Sequence, residues 1–288
     1  MKTLALASLA TLGLAFAPAS SAPLAAQEAK PEAPSLRERF ATLKAEFVKA
    51  QSEFFKLYQE AKTDAEKEKL SAEKYPKPEG YVPRFRALAE ENPKDPAAAD
   101  CLVWIVQAVQ TPAEQEGALD LLLRDHLESP ALGEACQALV YSASLKADAF
   151  LRTVRSKSPH EEVRGRACYA LAKLLHRRGE PARTLKEGEG DYAKFYPREF
   201  LDSVRATGAE AFATEAEKFL EEVVAKHGSL KSGKGTLGAA AERDLFEIRN
   251  LVVGKPAPEI EGEDAEGKRF RLSEHRGKVV FLDFWGYW

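Results

Sequence analysis

The sequence predicts a mostly α fold: a helical-repeat, α-solenoid domain over residues 35–250, and after it a short strand-bearing segment over 251–288 that opens an α/β domain. Three observations carry this. Leu36, Phe40, Leu43, Phe47, Ala50, Phe54, Leu57 and Ala61 alternate at spacings of four and three, which makes one continuous apolar seam on a helix. A cysteine recurs in similar surroundings at Cys101, Cys136 and Cys168, spacings of 35 and 32 residues, as in stacked helix pairs. Finally, Lys278 to Trp285 is β-branched, aromatic and apolar except for Asp283. That run reads as a strand buried on both faces.

Composition agrees with a folded, exported protein. With 44% hydrophobic and 30% charged residues in 288, the chain can bury a sizeable core and build two domains. A formal charge of −3 argues against nucleic acid as a partner. Three cysteines do not make a disulfide framework. Met1-Lys2, the weakly polar to apolar run Leu4 to Ala17 and the small residues Ala17-Pro18-Ala19 form a secretory signal peptide over 1–19, so the mature protein is expected to be periplasmic or secreted. The run is too short to span a bilayer and no cysteine lies near the cleavage site, so no membrane anchor is expected there. Residues 20–34, rich in Ala and Pro, read as a disordered spacer.

The first folded element opens at Ser35, where Glu38 three residues on completes a capping-box signature, and it closes at Tyr75 to Gly80. Its seam can pair with a second chain or fold back onto later helices. The breadth of the aromatic stripe favours the second choice. From Val82 to Glu180 the cysteine-marked segments each begin an amphipathic helix, and Thr111 to Leu127 and Leu145 to Ser156 supply the intervening helices. Pro159 to Leu171 has a weak likeness to a HEAT-type repeat helix. The cysteines are expected to be unpaired and sheltered, small residues at one repeat position rather than redox groups. After Gly179 a polar connection is expected, then helices over Pro197 to Ala206, Ala209 to Lys226 and Leu237 to Leu251. The intervening Gly228 to Gly235 superficially suggests a phosphate loop. Gly235 stands where such a loop needs Ser or Thr, and a helix rather than a strand precedes it, so a flexible connector is expected.

The tail begins with the stiff Gly254-Lys255-Pro256-Ala257-Pro258, continues through a turn bracketed by Gly262 and Gly267 into a short strand at Lys268 to Leu272, and reaches the apolar run after Arg276-Gly277. In order and type these motifs, with Gly277-Lys278-Val279-Val280 and Asp283-Phe284-Trp285-Gly286-Tyr287-Trp288, resemble the opening of a thioredoxin-like domain of the TlpA and redoxin (AhpC/TSA) kind. The resemblance covers 38 of 288 residues. Its paired tryptophans favour the disulfide-exchange branch over the peroxiredoxin branch, which uses a Thr and a lone Cys.

The resemblance implies a C-x-x-C directly after Trp288, with its first sulfur at a helix N-terminus where the dipole lowers a thiol pKa and makes a fast nucleophile. It also implies that Asp283 is a buried acid relaying a proton to the deeper cysteine, its pKa raised by burial. Phe284, Trp285 and Trp288 would flank the active site. The implied partner is a protein dithiol or disulfide, with no cofactor. The segment is therefore expected to be a truncated redox domain, inactive as given. An in-frame UGA codon for selenocysteine, a sequencing break and a nonsense mutation are each ways to end it there.

Other chemistry lacks its residues. His126, His160, His176, His227 and His275 are scattered without zinc-site spacing or an H-E-x-x-H frame, and no metal site is expected. The first four fall near predicted helix ends, where surface or capping roles are the default. There is no G-x-S-x-G elbow and no dinucleotide fingerprint. Two functions remain: an exported thiol–disulfide oxidoreductase whose helical domain docks a protein partner, or a non-catalytic helical-repeat scaffold carrying a redoxin remnant.

Overall fold

The structure, a computed structural model, describes residues 33–109, 111–185 and 190–286. The signal peptide, nearly all of the spacer, and Trp288 lie outside the described residues. Helices dominate, with two small antiparallel hairpins.

Helix α1 (Leu36–Glu60) starts at the expected capping box: the Glu38 N–H donates to Ser35 Oγ at 3.3 Å, and the Ser35 N–H donates to the Glu38 carboxylate at 2.8 Å. Its seam is used within the chain. Leu36, Leu43 and Phe47 are buried, Phe40 meets Phe85 edge-on at 5.8 Å, and Phe47 meets Trp104 at 5.2 Å. Phe85 in turn stacks on Trp104 at 3.9 Å. The partners come from α3 (Val82–Glu91) and α4 (Pro96–Ala108).

The first element does not run on to Tyr75 as one piece. It breaks after Glu60, because Thr63 and Glu66 form a second capping box that starts α2 (Asp64–Lys74). Helix α2 buries none of its own residues; it is held through Phe54, whose ring meets Tyr75 at 5.2 Å and Tyr58 at 5.7 Å.

The cysteine-marked helices and the intervening ones appear where expected: α4, α5 (Pro112–Asp125), α6 (Leu132–Ala138), α7 (Lys146–Lys157) and α8 (Glu161–Thr184). One detail differs. Helix α4 is not amphipathic, since Ala97 to Ala99 and Cys101 to Val106 are all buried. It packs against α1 and α3 as well as α5 and α6, leaving only the narrow stripe of Pro96, Asp100 and Gln107 open to water. Its C-terminal carbonyls are satisfied internally: Gln115 Nε2 donates to Val109 O at 2.8 Å and Val106 O at 3.2 Å, and Ser142 Oγ donates to Gln115 Oε1 at 2.6 Å. Buried carbonyls without such a partner would cost a desolvation penalty of about 1–3 kcal/mol each.

Helix α8 is the hub, packed by α6, α7, α9 (Arg198–Thr207), α10 (Ala209–His227) and α11 (Leu237–Asn250). It continues past Gly179 and through Pro181, where a connection was expected. Buried Pro181, Ala182 and Leu185 hold this last turn on the core, which outweighs the hydrogen bond the proline cannot donate. The expected flexible connector before α11 is an ordered hairpin of β1 (Lys231–Ser232) and β2 (Gly235–Thr236), turned at Gly233 with φ 57°. The Leu237 N–H donates to Leu230 O at 2.8 Å and the Gly238 N–H to Gly228 O at 3.1 Å, fastening α11 to the end of α10. Gly165 on α8 makes room for this knot. A Cβ there would lie 2.4 Å from the Leu230 side chain and 3.1 Å from His227 Cβ.

Among the described residues, the hydrophobic core draws on none after Ile248. Beyond it lie β3 (Glu261–Glu263) and β4 (Arg269–Arg271), paired antiparallel with Glu261 opposite Arg271 and Glu263 opposite Arg269, followed by a 3-10 turn over Leu272–His275.

Candidate functional site

The C-terminal hairpin is built from charge and backbone geometry rather than apolar burial. Asp264 Oδ1 accepts the Lys268 N–H at 2.8 Å and the Glu266 N–H at 3.1 Å, closing a turn that Gly267 completes at φ 79°. Gly262 lies beneath the Phe270 ring, 3.1 Å from where a Cβ would stand. Arg271 pairs with Glu261 at 3.0 Å and Arg269 with Glu263 at 3.7 Å. Glu259 Oε1 accepts the Ser273 N–H at 3.0 Å, and the bonds from Ser273 hold that carboxyl below its usual pKa. The hairpin therefore has a defined register and a fixed link to the turn before Gly277, whose φ is 81°.

From there the structure departs from the expectation. Residues 279–286 form no strand and no ladder. Val279, Phe281 and Phe284 are almost wholly exposed, Trp285 is largely so, and Asp283, which was expected to be buried, is exposed as well. The physical reason is that a central strand is buried only by neighbours on both edges and both faces, and neither the hairpin, with strands of three residues, nor the helices offer them. Phe284 and Trp285 thus stand beside Asp283 in sequence without enclosing it, and Trp288 lies outside the described residues.

The cysteines do not contribute a redox pair. Cys101, Cys136 and Cys168 are free and fully buried, as expected from their equivalent repeat positions. Burial pushes the Cys101 and Cys168 thiols up to about 12 and raises Cys136 as well, the reverse of what a nucleophilic thiolate needs. Cys168 Sγ donates to Phe219 O at 3.5 Å, a packing role between α8 and α10.

Two histidines are buried rather than on the surface. His126 closes the end of α5, its N–H donating to Leu122 O at 3.0 Å, and His227 ends α10. His176 is half-buried within α8 rather than near its end. Burial lowers the pKa of all three. His126 and His227 keep the expected helix-end positions, as does His160, which alone of the three is exposed, at the N-cap of α8 with Nε2 2.8 Å from Glu128 O. Among the described residues no group of three or more His, Cys, Asp or Glu is placed to hold a metal ion, and no helix is long and apolar enough to cross a membrane.

No family model matches the chain, and no solved structure matches it. Curated proteins do match over a short stretch. The thiol-disulfide oxidoreductase ResA of Geobacillus thermodenitrificans is 50% identical over 53 residues, 18% of this chain and 30% of that protein. ResA of Bacillus thuringiensis is 38% identical over 55 residues, 19% and 32% of the two chains, and ResA of Bacillus subtilis is 54% identical over 39 residues, 14% and 22%. The chain carries a segment similar to thiol-disulfide oxidoreductases. It spans about a third or less of the length of the relatives it matches.

Proposed function

We propose that residues 251–288 are the opening of a thioredoxin-like, TlpA/redoxin-type domain in an exported thiol–disulfide oxidoreductase, and that residues 35–250 are a short α-solenoid that docks its protein partner. The observation that carries the reading is the similarity to ResA over a stretch of 39 to 55 residues, together with the ordered motifs from Gly254 to Trp285. In this reading the redox pair, C-x-x-C or its selenium counterpart, follows Trp288. Strands supplied after that pair would cover residues 279–286 and bury Asp283 beside the deeper sulfur. Phe284, Trp285 and Trp288 would then line the approach to the nucleophile.

The chemistry assigned to this chain's own residues is proton transfer and shelter. A buried Asp283 carboxyl, its pKa raised by burial, would take the proton from the deeper thiol as that thiol attacks the mixed disulfide, and return it in the reverse step. A second reading, a helical scaffold without catalysis, is supported by the helical core, which is complete without the C-terminal segment.

Two measurements separate them. The nucleotides after codon 288 are read for an in-frame cysteine or UGA codon with a thioredoxin-like continuation; unrelated sequence there favours the scaffold. The continuous protein is then assayed for reduction of insulin disulfides. Asp283→Asn is expected to slow exchange by about 10²-fold and to remove one ionisation from the pH–rate profile. An unchanged profile would refute the proton-transfer role.

A further inference from the structure

Helix α11 is joined to the end of α10 through Leu230. The Leu230 N–H donates to His227 O at 3.1 Å, Leu230 O accepts the Leu237 N–H at 2.8 Å, and the Leu230 side chain fills the gap that Gly165 leaves on α8. His227 forms the wall of the same gap. A Cβ on Gly165 would lie 3.1 Å from His227 Cβ and 3.2 Å from its Cγ, so the imidazole is laid directly against the α8 backbone. Its Nδ1 is buried there without a hydrogen-bond partner. A neutral ring tolerates this, because the tautomer protonated at Nε2 leaves only a lone pair at Nδ1. The imidazolium carries a proton on both nitrogens and would hold a buried donor that nothing accepts.

We propose that His227 is an acid-sensitive latch: protonation of its ring unseats Leu230 from Gly165 and opens the β1–β2 hairpin and the first turn of α11, while the rest of the helical core stays folded. The charges around the ring do not relieve it. Glu161 and Arg164 face it from α8 and Glu222 and Lys226 from α10, two acids against two bases. Glu222 is already engaged by Arg155 at 2.8 Å and lies 3.7 Å from Lys226, and Arg164 donates to Ser158 O and Pro159 O at 2.8 Å each. With the charges so matched, burial decides the cost of the imidazolium.

The opening stops after the first turn because α11 is fastened farther on by other means. Leu245 and Ile248 are buried, Lys173 pairs with Asp244 at 3.1 Å, and Arg249 pairs with Glu217 and Glu221. The three amides that report the latch are Leu230, Leu237 and Gly238, the last donating to Gly228 O at 3.1 Å.

The test is amide exchange of the full chain from pH 7.5 to 5, expressed as protection over the intrinsic rate at each pH. Protection at Leu230, Leu237 and Gly238 should begin to fall below about pH 6.5, where a solvated imidazole charges, and drop about tenfold by pH 5. The amides of Leu171 to Leu175 in the middle of α8 should keep theirs. His227→Gln, neutral throughout, should remove the fall, and His176→Gln, which alters the other imidazole near α11, should leave it in place. The His227 ring protons, titrated by NMR in the parent chain, should give a midpoint below the ordinary 6.5, a measurement that does not depend on the variants folding. Protection that is flat in the parent chain, a fall that survives His227→Gln or vanishes in His176→Gln, a fall shared equally by the α8 amides, or a ring midpoint at or above 6.5 overturns the proposal.

Discussion

His126 and His227 are 7% and 8% exposed, and His227 Nδ1 is buried without a hydrogen-bond partner. Charging either ring requires water to reach it, so both are held neutral in the folded chain, and half-buried His176 behaves alike. The folded-state pKa values lie below the ordinary 6.5, while the unfolded chain binds protons at about that value. Unfolding at mildly acid pH therefore takes up protons. The resulting stability is fully present above about pH 6.5 and is lost as pH falls towards each folded value. Carboxylates such as Glu46 and Glu91, lowered by their arginine partners, lose their contribution only at lower pH, below about 4.5. Between pH 7.5 and 5 the melting temperature should fall, and His227→Asn should flatten the fall. A melting temperature flat across that interval would show that the imidazoles are not desolvated. None of this was legible in the sequence, because a histidine at a helix end looks the same whether the next element covers it or not.

At the scale of elements, patterns that depend on neighbours in sequence were legible and those that depend on distant packing were not. The cysteine period located α4, α6 and α8 because a buried small residue recurs wherever equivalent helices stack. The Ser35–Glu38 box located the start of α1 because both hydrogen bonds are local. Thr63 and Glu66 carry the same local signal, masked by an apolar seam that runs on to Ala61. The break of α1 matters to its surroundings: it folds α2 back over Phe54, where Phe54 meets Tyr75 and Lys67 lies over the Tyr58 ring. Thr63→Ala removes the acceptor of the Glu66 N–H and should cost about 1 kcal/mol. Because α2 adds nothing to the main core, the loss should appear as faster amide exchange over 64–74 with little change in the global melting temperature. Slowed or unchanged exchange there would mean that α2 is fixed by contacts other than its cap.

At the scale of the whole molecule, a continuous helical core and an exposed apolar run share one chain. The sequence pattern of residues 279–285 specifies burial, as the apolar run predicts, yet burial of a central strand is a property of the sheet and not of the strand. The exposed run is therefore a cost to solubility, with unpaired N–H and C=O groups and contiguous aromatic surface. The helical core, by contrast, ends at Ile248 and is fastened by α10, α11 and the short hairpin between them. Arg249 is paired with Glu217 and Glu221 of α10. Ending the chain after Val252 should then leave the melting temperature within about 2 °C of the parent, a shift worth about 0.5–1 kcal/mol for a domain of this size. The same deletion should raise the concentration at which the protein stays soluble. Thermal unfolding and a precipitation series on the two chains decide it. A drop of many degrees on deletion would mean that the C-terminal segment contributes to the helical core after all, and a solubility unchanged by deletion would remove the hydrophobic run as the aggregation-prone element.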